Sequence, residues 1–336
     1  MQSFPTSSDK PNNKYCMKKW LPGELEEIPC DFCGTREVAK QFIRKDDMRV
    51  VECAQCGLAY LNPRPKPEFI PRFYEADYFT GAAAERGEGG LKCNLAPTPI
   101  DEKTDLRVME IINEKFGGFE GKDVLEIGCA TGDLLIQIKH AGAHVRGLEI
   151  SDFAADVARK RGLDVSTGTI EGFVKRDKVN FDIVLALEVI EHVLSPRKFI
   201  ETVACVIKPG GVLLLSTPNY ASTRRFGNQW LGFNMSFEHT YFFSANLLMK
   251  MMLKEGLCTI YSESSKYLGA SQGCGLLERQ IERLKTVFYF IREVGLLRTF
   301  VALLSRHKGS YPYALGHTII MGFENKYPSN CFESQK

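Results

Sequence analysis

The chain of 336 residues has no apolar run of membrane-spanning length, and its polar first ten residues, Met1 to Lys10, hold no apolar core of a secretion signal. An integral membrane protein and a secreted precursor are therefore not expected, and a cytoplasmic location is. Net charge is also nearly absent: 43 Lys and Arg against 41 Asp and Glu leave +2, which gives no reason to expect nucleic acid or another polyanion as partner. Internal repeats and long low-complexity tracts are missing, which excludes solenoids and disordered tails as the main architecture. Eleven cysteines is an odd number, and some, such as Cys129, sit inside apolar runs. That fits a reducing compartment better than a disulfide framework.

What is present begins with a polar, proline-punctuated arm over 1–27, with Trp20 as its one anchor. Two knuckles follow, Cys30-Asp31-Phe32-Cys33-Gly34 and Cys53-Ala54-Gln55-Cys56-Gly57. Each supplies two thiolates from one tight turn, with a glycine where the chain reverses. Four thiolates complete a tetrahedral Zn²⁺ shell and leave no position for water, so Cys30, Cys33, Cys53 and Cys56 are expected to form a structural site. The intervening stretches 38–43 and 48–51 read as short strands, which makes 28–62 a zinc ribbon that needs the metal to fold. A stiff proline-rich connector opens 63–100, followed by an aromatic segment and a Gly/Ala/Pro-rich flap. The aromatic segment is read as helical and as docking the ribbon, or as lining a pocket with Tyr74 or Tyr78.

After a helix over 104–116, strand and helix patterns alternate, which argues for a parallel sheet covered on both faces. Strands are expected at 123–129, 144–150, 164–167, 181–187, 211–217, 258–262 and 315–323. Helices are expected at 133–141, 153–161, after Thr169, and at 197–207 and 245–255. The core is thus 101–267 plus a last strand in 313–326, ahead of a tail at 327–336. The insertion 268–312 carries an apolar-basic helical pattern. Its readings are a lid over the acceptor site, a dimer contact, or, through 276–305, a peripheral membrane-surface helix. The oligomeric state is not legible.

The first strand of the core breaks at Glu126-Ile127-Gly128-Cys129-Ala130-Thr131-Gly132-Asp133 and passes into a helix. Small residues there let a ligand approach the backbone, and free helix N–H groups point at it. An αR or β backbone is expected at Ala130. Glu149 ends the second strand, where a carboxylate can accept from two vicinal hydroxyls of a ribose. The fourth strand ends in Glu188-Val189-Ile190-Glu191-His192, placing acids and a histidine at the mouth of the crevice. A dinucleotide's pyrophosphate is disfavoured at this turn, because Glu126 would repel it.

These residues carry a resemblance. The E-I-G-x-x-x-G turn, the G-L-E strand end, the F-D-I-V strand with its E-x-x-E-H-V tail, and K-P-G-G before a strand ending T-P-N look like a class I S-adenosylmethionine-dependent methyltransferase over roughly 100–260. The resemblance implies a doubly wound α/β fold with a seven-stranded, mostly parallel, Rossmann-like sheet. It also implies S-adenosyl-L-methionine as cofactor. Glu126, Gly128, Ala130 and Gly132 would hold its methionine part, Glu149 with Ile150 beside it the ribose, Thr169 and Ile170 the adenine edge, and Glu188 the pocket wall. The four-cysteine module and the later element Glu238-His239-Thr240-Tyr241-Phe242-Phe243-Ser244 resemble sugar C-methyltransferases and related glycan or natural-product enzymes. That implies a small-molecule or glycan acceptor, with a histidine as general base and Glu238 positioning the substrate. His239 and His192 are the candidates. The bland alternatives are a loop-anchoring role for His239 and a satisfied helix-start histidine for His192. Rival functions are a zinc-ribbon RNA methyltransferase, an enzyme for a lipid or quinone-type acceptor, and a cofactor-binding scaffold without catalysis.

Overall fold

The computed structural model describes residues 20–73, 99–234, 238–265 and 318–326. Tyr74, Tyr78, the flap, most of the N-terminal arm, the insertion 268–312 and the tail lie outside the described residues.

In chain order, the ribbon comprises β1 (Leu25–Glu26), β2 (Val38–Ile43), β3 (Arg49–Cys53), β4 (Ala59–Leu61) and β5 (Arg64–Pro65). A 3₁₀ stretch, Pro67–Phe73, follows where an aromatic helix was expected. The core contains α1 (Pro99–Lys115), β6 (Asp123–Ile127), α2 (Asp133–His140), β7 (His144–Glu149), α3 (Asp152–Lys160), β8 (Val165–Thr167), α4 (Ile170–Arg176) and β9 (Phe181–Leu187). It continues through α5 (Pro196–Val206), β10 (Ile207–Pro218), the short α6 (Thr223–Phe226) and α7 (Leu231–Asn234), β11 (Tyr241–Phe242), α8 (Ala245–Lys254), β12 (Leu257–Ser265) and β13 (Thr318–Asn325).

The main sheet runs β12-β13-β10-β9-β6-β7-β8. Neighbours from β10 to β8 are parallel, while β13 is antiparallel to both β10 and β12, so β12 points the same way as β10. This is the expected seven-stranded, mostly parallel sheet. Period-2 alternation divides its strands between two buried layers. Leu125, Val184, Ala186, Leu213 and Leu215 face one apolar cluster; Val124, Ile183, Leu185 and Leu214 face the other, against α1 residues Val108, Ile111 and Ile112. Side-chain caps start the helices that flank the sheet. Ser151, Thr169, Ser195 and Ser244 each accept from a first-turn N–H, and Pro196 takes the position where no N–H is needed. The chain winds β6 to β8 outward on one side, then returns to β9 on the other. The crevice outside the carboxyl ends of β6 and β9 is therefore the switch point where ligands bind in such sheets.

The ribbon is joined to the core more closely than a connector and a separate module suggest. Its sheet runs β11-β4-β3-β2, so the strand at its edge comes from the core, pairing Tyr241 with Tyr60 and Phe242 with Ala59. Arg64, in the stretch read as a spacer, donates to the Leu194 carbonyl at 2.5 Å and to the Tyr241 hydroxyl at 3.0 Å, while β5 pairs with β1. Residues 20–26, expected in the arm, belong to this unit: Trp20 packs beside Trp230, Phe233 and Phe242. Asp31, between the first two cysteines, accepts from the Ser195 hydroxyl at 2.7 Å and the Arg197 N–H at 2.8 Å, capping α5 from outside the helix.

Among the described residues no helix is long and apolar enough to cross a membrane. Asp31→Ala leaves the thiolates in place and removes that second cap. We expect a loss of about 1 kcal/mol of stability, read by urea unfolding. An unchanged midpoint would mean the knuckle contributes nothing to α5.

Candidate active site

The site begins at the turn after β6. Gly128 has φ +75°, and a Cβ there would lie 2.7 Å from Val189 Cγ2, so the loop after β9 rests directly on the turn. Gly132 has φ +83°, and a Cβ would meet Leu163 Cδ1 at 2.2 Å. Both positions exclude a side chain. Ala130 corrects the expectation of an αR or β backbone: its φ is +47°, the left-handed region that favours glycine. What holds it there is Glu149. The Glu149 carboxylate accepts from Ala130 N–H at 2.9 Å through one oxygen and from Ser151 N–H at 2.9 Å through the other. The residue assigned to the ribose is thus also a splint for the turn. Each oxygen keeps a second lone pair for a ligand hydroxyl.

Four carboxylates gather along this cleft. Glu126 is buried and its Oε2 has no hydrogen-bond partner among the described residues. Burial, then Asp105, Glu149 and Asp133, push its carboxyl well above the usual value of 4.5. Burial also raises Glu149, against its backbone donors. Asp133 is neutralised by Arg161 at 2.7 Å. A buried cleft of acids with an unfilled acceptor selects a cationic ligand and rejects a phosphate. At the adenine edge, Thr169 caps α4 through a hydrogen bond from Gly172 N–H at 3.3 Å. Ile150 is half exposed beside the cleft, whereas Ile170 is buried in the main core, so its side chain does not face a ligand.

Opposite, Glu188 sits at φ +52° with its carboxylate accepting from Ser216 Oγ at 2.8 Å. Burial raises its carboxyl. Glu191 is fully buried, raised well above the ordinary range by burial and by Glu188, and accepts from Thr217 Oγ1 at 2.9 Å. The structure brings the two candidate bases together: the His192 and His239 rings meet edge to face with centroids 4.6 Å apart. Burial pushes His192 down to about 4 and His239 well below its usual value, so both rings are neutral at physiological pH. Glu238 is buried beside them.

His239 is placed by the ribbon. Its carbonyl accepts from Arg44 at 2.9 Å, and Arg44 is itself buried in an ion pair with Asp46. Leu61 N–H donates to the Thr240 carbonyl at 2.9 Å, and Thr240 N–H donates to the Glu191 carbonyl at 2.9 Å. Sequence reasoning missed Arg44 and the part of Glu191 in the histidine cluster. The E-x-x-E-H spacing was the available signal for Glu191; nothing local marks Arg44.

In the ribbon, Cys30, Cys33, Cys53 and Cys56 place their sulfurs within 4.8 Å of one another, with Cys30–Cys56 and Cys33–Cys53 both at 3.4 Å. Edges of about 3.8 Å are those of a tetrahedral thiolate shell around Zn²⁺, so the four residues fit that ion. Gly34 and Gly57, both at positive φ, close the knuckles.

A core with this strand order, an antiparallel β13 and a carboxylate-lined crevice at the switch point has the class I methyltransferase architecture. Residues 100–261, just under half of the chain, match the family model described as a methyltransferase domain. Among curated relatives, the ubiquinone biosynthesis O-methyltransferase of Actinobacillus pleuropneumoniae serotype 7 (strain AP76) is 36% identical over 131 residues, covering 36% of this chain and 56% of that protein. The protein of the same description from Maricaulis maris (strain MCS10) is 36% identical over 175 residues, covering 48% of this chain and 66% of that one. The chain thus spans between half and two thirds of the length of the curated relatives it matches. A solved SAM-dependent methyltransferase of Thermotoga maritima, described as a possible histamine N-methyltransferase, covers 68% of this chain and 91% of its own at 20% identity, with a TM-score of 0.44. The fold statement rests on the sheet order and not on that superposition.

Two outcomes test the turn. Ala130→Gly removes a left-handed Cβ penalty of about 1–2 kcal/mol and adds backbone entropy of about 0.4–1 kcal/mol, so a net gain of up to about 1.6 kcal/mol is expected by urea unfolding. Glu126 has a folded-state carboxyl raised above its unfolded value, so its contribution to stability is present below 4.5 and lost as pH rises through the raised value. The ligand-free chain should therefore lose thermal stability as pH rises above about 5, relative to Glu126→Gln. Parallel pH curves for the two proteins would rule that out.

Proposed function

We propose that this chain transfers the methyl group of S-adenosyl-L-methionine to an oxygen of a small-molecule acceptor. The observation that carries the reading is the acid-lined crevice built on Glu126, Gly128, Ala130, Gly132 and Glu149, in a domain of methyltransferase family. The cofactor is a cation without phosphate, which suits buried carboxylates in search of positive charge. When bound, it supplies an electrophilic methyl carbon on a sulfonium. Glu126 offers its partnerless oxygen to the methionine end, Glu149 to the ribose diol, and Ile150 and the Thr169–Ile170 backbone border the adenine. Glu188 closes the wall towards the acceptor. The Glu191, His192, His239 group lies across the crevice and is assigned the acceptor's deprotonation, with Glu238 supporting the histidines. The protein's part is to position, desolvate and deprotonate the acceptor.

An oxygen acceptor is favoured by the relatives' description as O-methyltransferases of ubiquinone biosynthesis, which suits a quinone-type or other hydroxylated acceptor ahead of a glycan. The near-neutral chain speaks against RNA. The ribbon is assigned one structural Zn²⁺ on Cys30, Cys33, Cys53 and Cys56.

Isothermal titration with S-adenosylhomocysteine should give one site per chain. Glu149→Ala removes the ribose acceptor and the splint at once, and should weaken that site about 10- to 100-fold, the worth of one or two charge-assisted hydrogen bonds. Binding unaffected by Glu149→Ala would displace the cofactor from this crevice. Radiolabelled cofactor incubated with fractionated extract should label the small-molecule or lipid fraction; label confined to RNA would overturn the acceptor class.

A further inference from the structure

The β2–β3 hairpin of the ribbon turns at Arg44-Lys45-Asp46-Asp47, and the turn is built to hold one side chain still. Asp47 has φ +65°, its N–H donates to the Arg44 carbonyl at 3.1 Å, and Arg44 N–H donates to the Met48 carbonyl at 3.0 Å. Met48 is buried with Trp230, Phe233 and Phe242, so the turn is packed on the core. Arg44 itself is 1% exposed. Its guanidinium works as a three-way fork. Nε and Nη2 donate to the two oxygens of the Asp46 carboxylate, the first at 3.0 Å, and Nη1 donates at 2.9 Å to the carbonyl of His239, 195 residues away. Asp46 Oδ1 also accepts from Met48 N–H at 3.3 Å, which fixes the carboxylate that fixes the guanidinium. A planar cation held at three points has one position, and a lysine ammonium cannot reproduce that geometry.

Burying an ion pair is a poor way to gain stability, since apolar residues of similar volume hold such a seam at least as well. What the buried charge faces is therefore informative. It faces His239, whose ring meets His192 with centroids 4.6 Å apart and whose Nε2 lies 3.9 Å from Glu191 Oε1. The titratable and charged groups around this ring are Glu191 and His192 from the loop after β9, with Glu188 acting on Glu191, Glu238 from the segment before β11, and Arg44 with Asp46 from the ribbon. Glu188 and Glu191 are raised by burial and hold their protons, so the fixed charge next to the ring comes from the ribbon. Burial, then His192, then Arg44 hold the ring below its usual proton affinity, against the Gly232 main chain.

We propose that Arg44 is a positioning residue for the methyl transfer: from the ribbon it fixes the His239 backbone, and with it the ring against Glu191 and His192, and it sets a fixed positive charge next to that ring. The proposal rests on the methyltransferase reading above. A ring so held keeps a free lone pair aimed one way when the acceptor arrives. It takes the acceptor's hydroxyl proton at a ring nitrogen, and the O–H bonding pair stays on the acceptor oxygen. The Arg44 charge disfavours the imidazolium so formed, which passes the proton on to solvent.

The test follows the ring itself in the full chain with zinc in its ribbon and S-adenosylhomocysteine bound. The chain has six histidines, and with ¹⁵N-labelled rings the His239 signal is the one lost in His239→Asn. Arg44→Met should move the His239 titration up by about one pH unit, the effect of one charge acting over several ångströms of protein. Arg44→Lys keeps the charge without the fork and should leave the titration near that of the wild type. Transfer of radiolabel from the cofactor into the small-molecule or lipid fraction of an extract should fall about 10- to 100-fold in Arg44→Met, with affinity for S-adenosylhomocysteine within about twofold of wild type. An unmoved His239 titration in Arg44→Met, or an equal shift in Arg44→Lys, overturns the charge role, and undiminished transfer in Arg44→Met overturns the positioning role. If Arg44→Met binds no S-adenosylhomocysteine, Asp46→Asn decides. It removes the countercharge but keeps an amide oxygen for the Arg44 and Met48 N–H groups, so the ring should protonate no more readily than in the wild type. A ring that protonates more readily there reports loosening alone and overturns the proposal. A chain whose His239 responds to Arg44 as stated but which labels no fraction removes the methyltransferase reading and leaves the link between Arg44 and His239 standing.

Discussion

The pairing of β4 with β11 is the constraint on which the site depends. It joins Tyr60 to Tyr241 across more than half of the chain and makes a core segment the edge strand of the ribbon. Immediately before that strand, His239 and Thr240 are gripped from two sides. Arg44 and Leu61 donate to their carbonyls from the ribbon, and the Glu191 carbonyl accepts from Thr240 and Tyr241 N–H groups in the core. A backbone with its polar groups committed on both sides has little freedom to move. The four-cysteine module thereby acts as a jig for a histidine in the crevice. Breaking the Arg44–Asp46 pair would leave a buried charge uncompensated, so the jig is also costly to remove.

A second theme is the use of uncompensated acid. Glu126, Glu149, Glu188 and Glu191 are all raised by burial, and only part of their oxygen valence is satisfied from within the described chain. Left alone, these groups cost stability at neutral pH, because the folded state holds protons that the unfolded state gives up. The structure tolerates that cost at one place, the switch point of the sheet. The non-glycine residues Ala130 and Glu188 adopt left-handed backbone at the same place. Strain and charge gathered at one crevice are the signature of groups arranged for a ligand and not for folding. The two halves differ in chemistry. The β6 side offers carboxylates alone, suited to an organic cation; the β9 side adds two imidazoles, suited to a proton.

Much of the fold was legible because it follows from local rules. Apolar runs with period 2, helices started by Ser151, Thr169, Ser195 and Ser244, and glycines at knuckles and turns give strand and helix positions that agree with the structure to within a few residues. The sheet order follows from the alternation of strand and helix once the switch after β8 is placed. The expected bounds erred where the signal was weak: α1 starts at Pro99, before its apolar stripe begins, and β10 starts at Ile207, ahead of the Pro-Gly-Gly run that was read as preceding the strand. The left-handed conformation of Ala130 was not legible, because it is imposed by a carboxylate from the next strand and not by its own neighbours.

By itself, the sequence determined the parts: four thiolates in two knuckles, a glycine turn after an acidic strand, a second acid one strand later, and the acid-histidine run after the fourth strand. Each is a local motif whose chemistry depends on residue type and short spacing. Only the tertiary structure decided how the parts combine. It placed the two histidines in contact with Glu191, made the ribbon a support for His239, and turned Glu149, the acid read as a ribose acceptor, into a splint for the turn. Those relations join residues far apart in the chain, and they are set by strand pairing and burial, which no local pattern encodes.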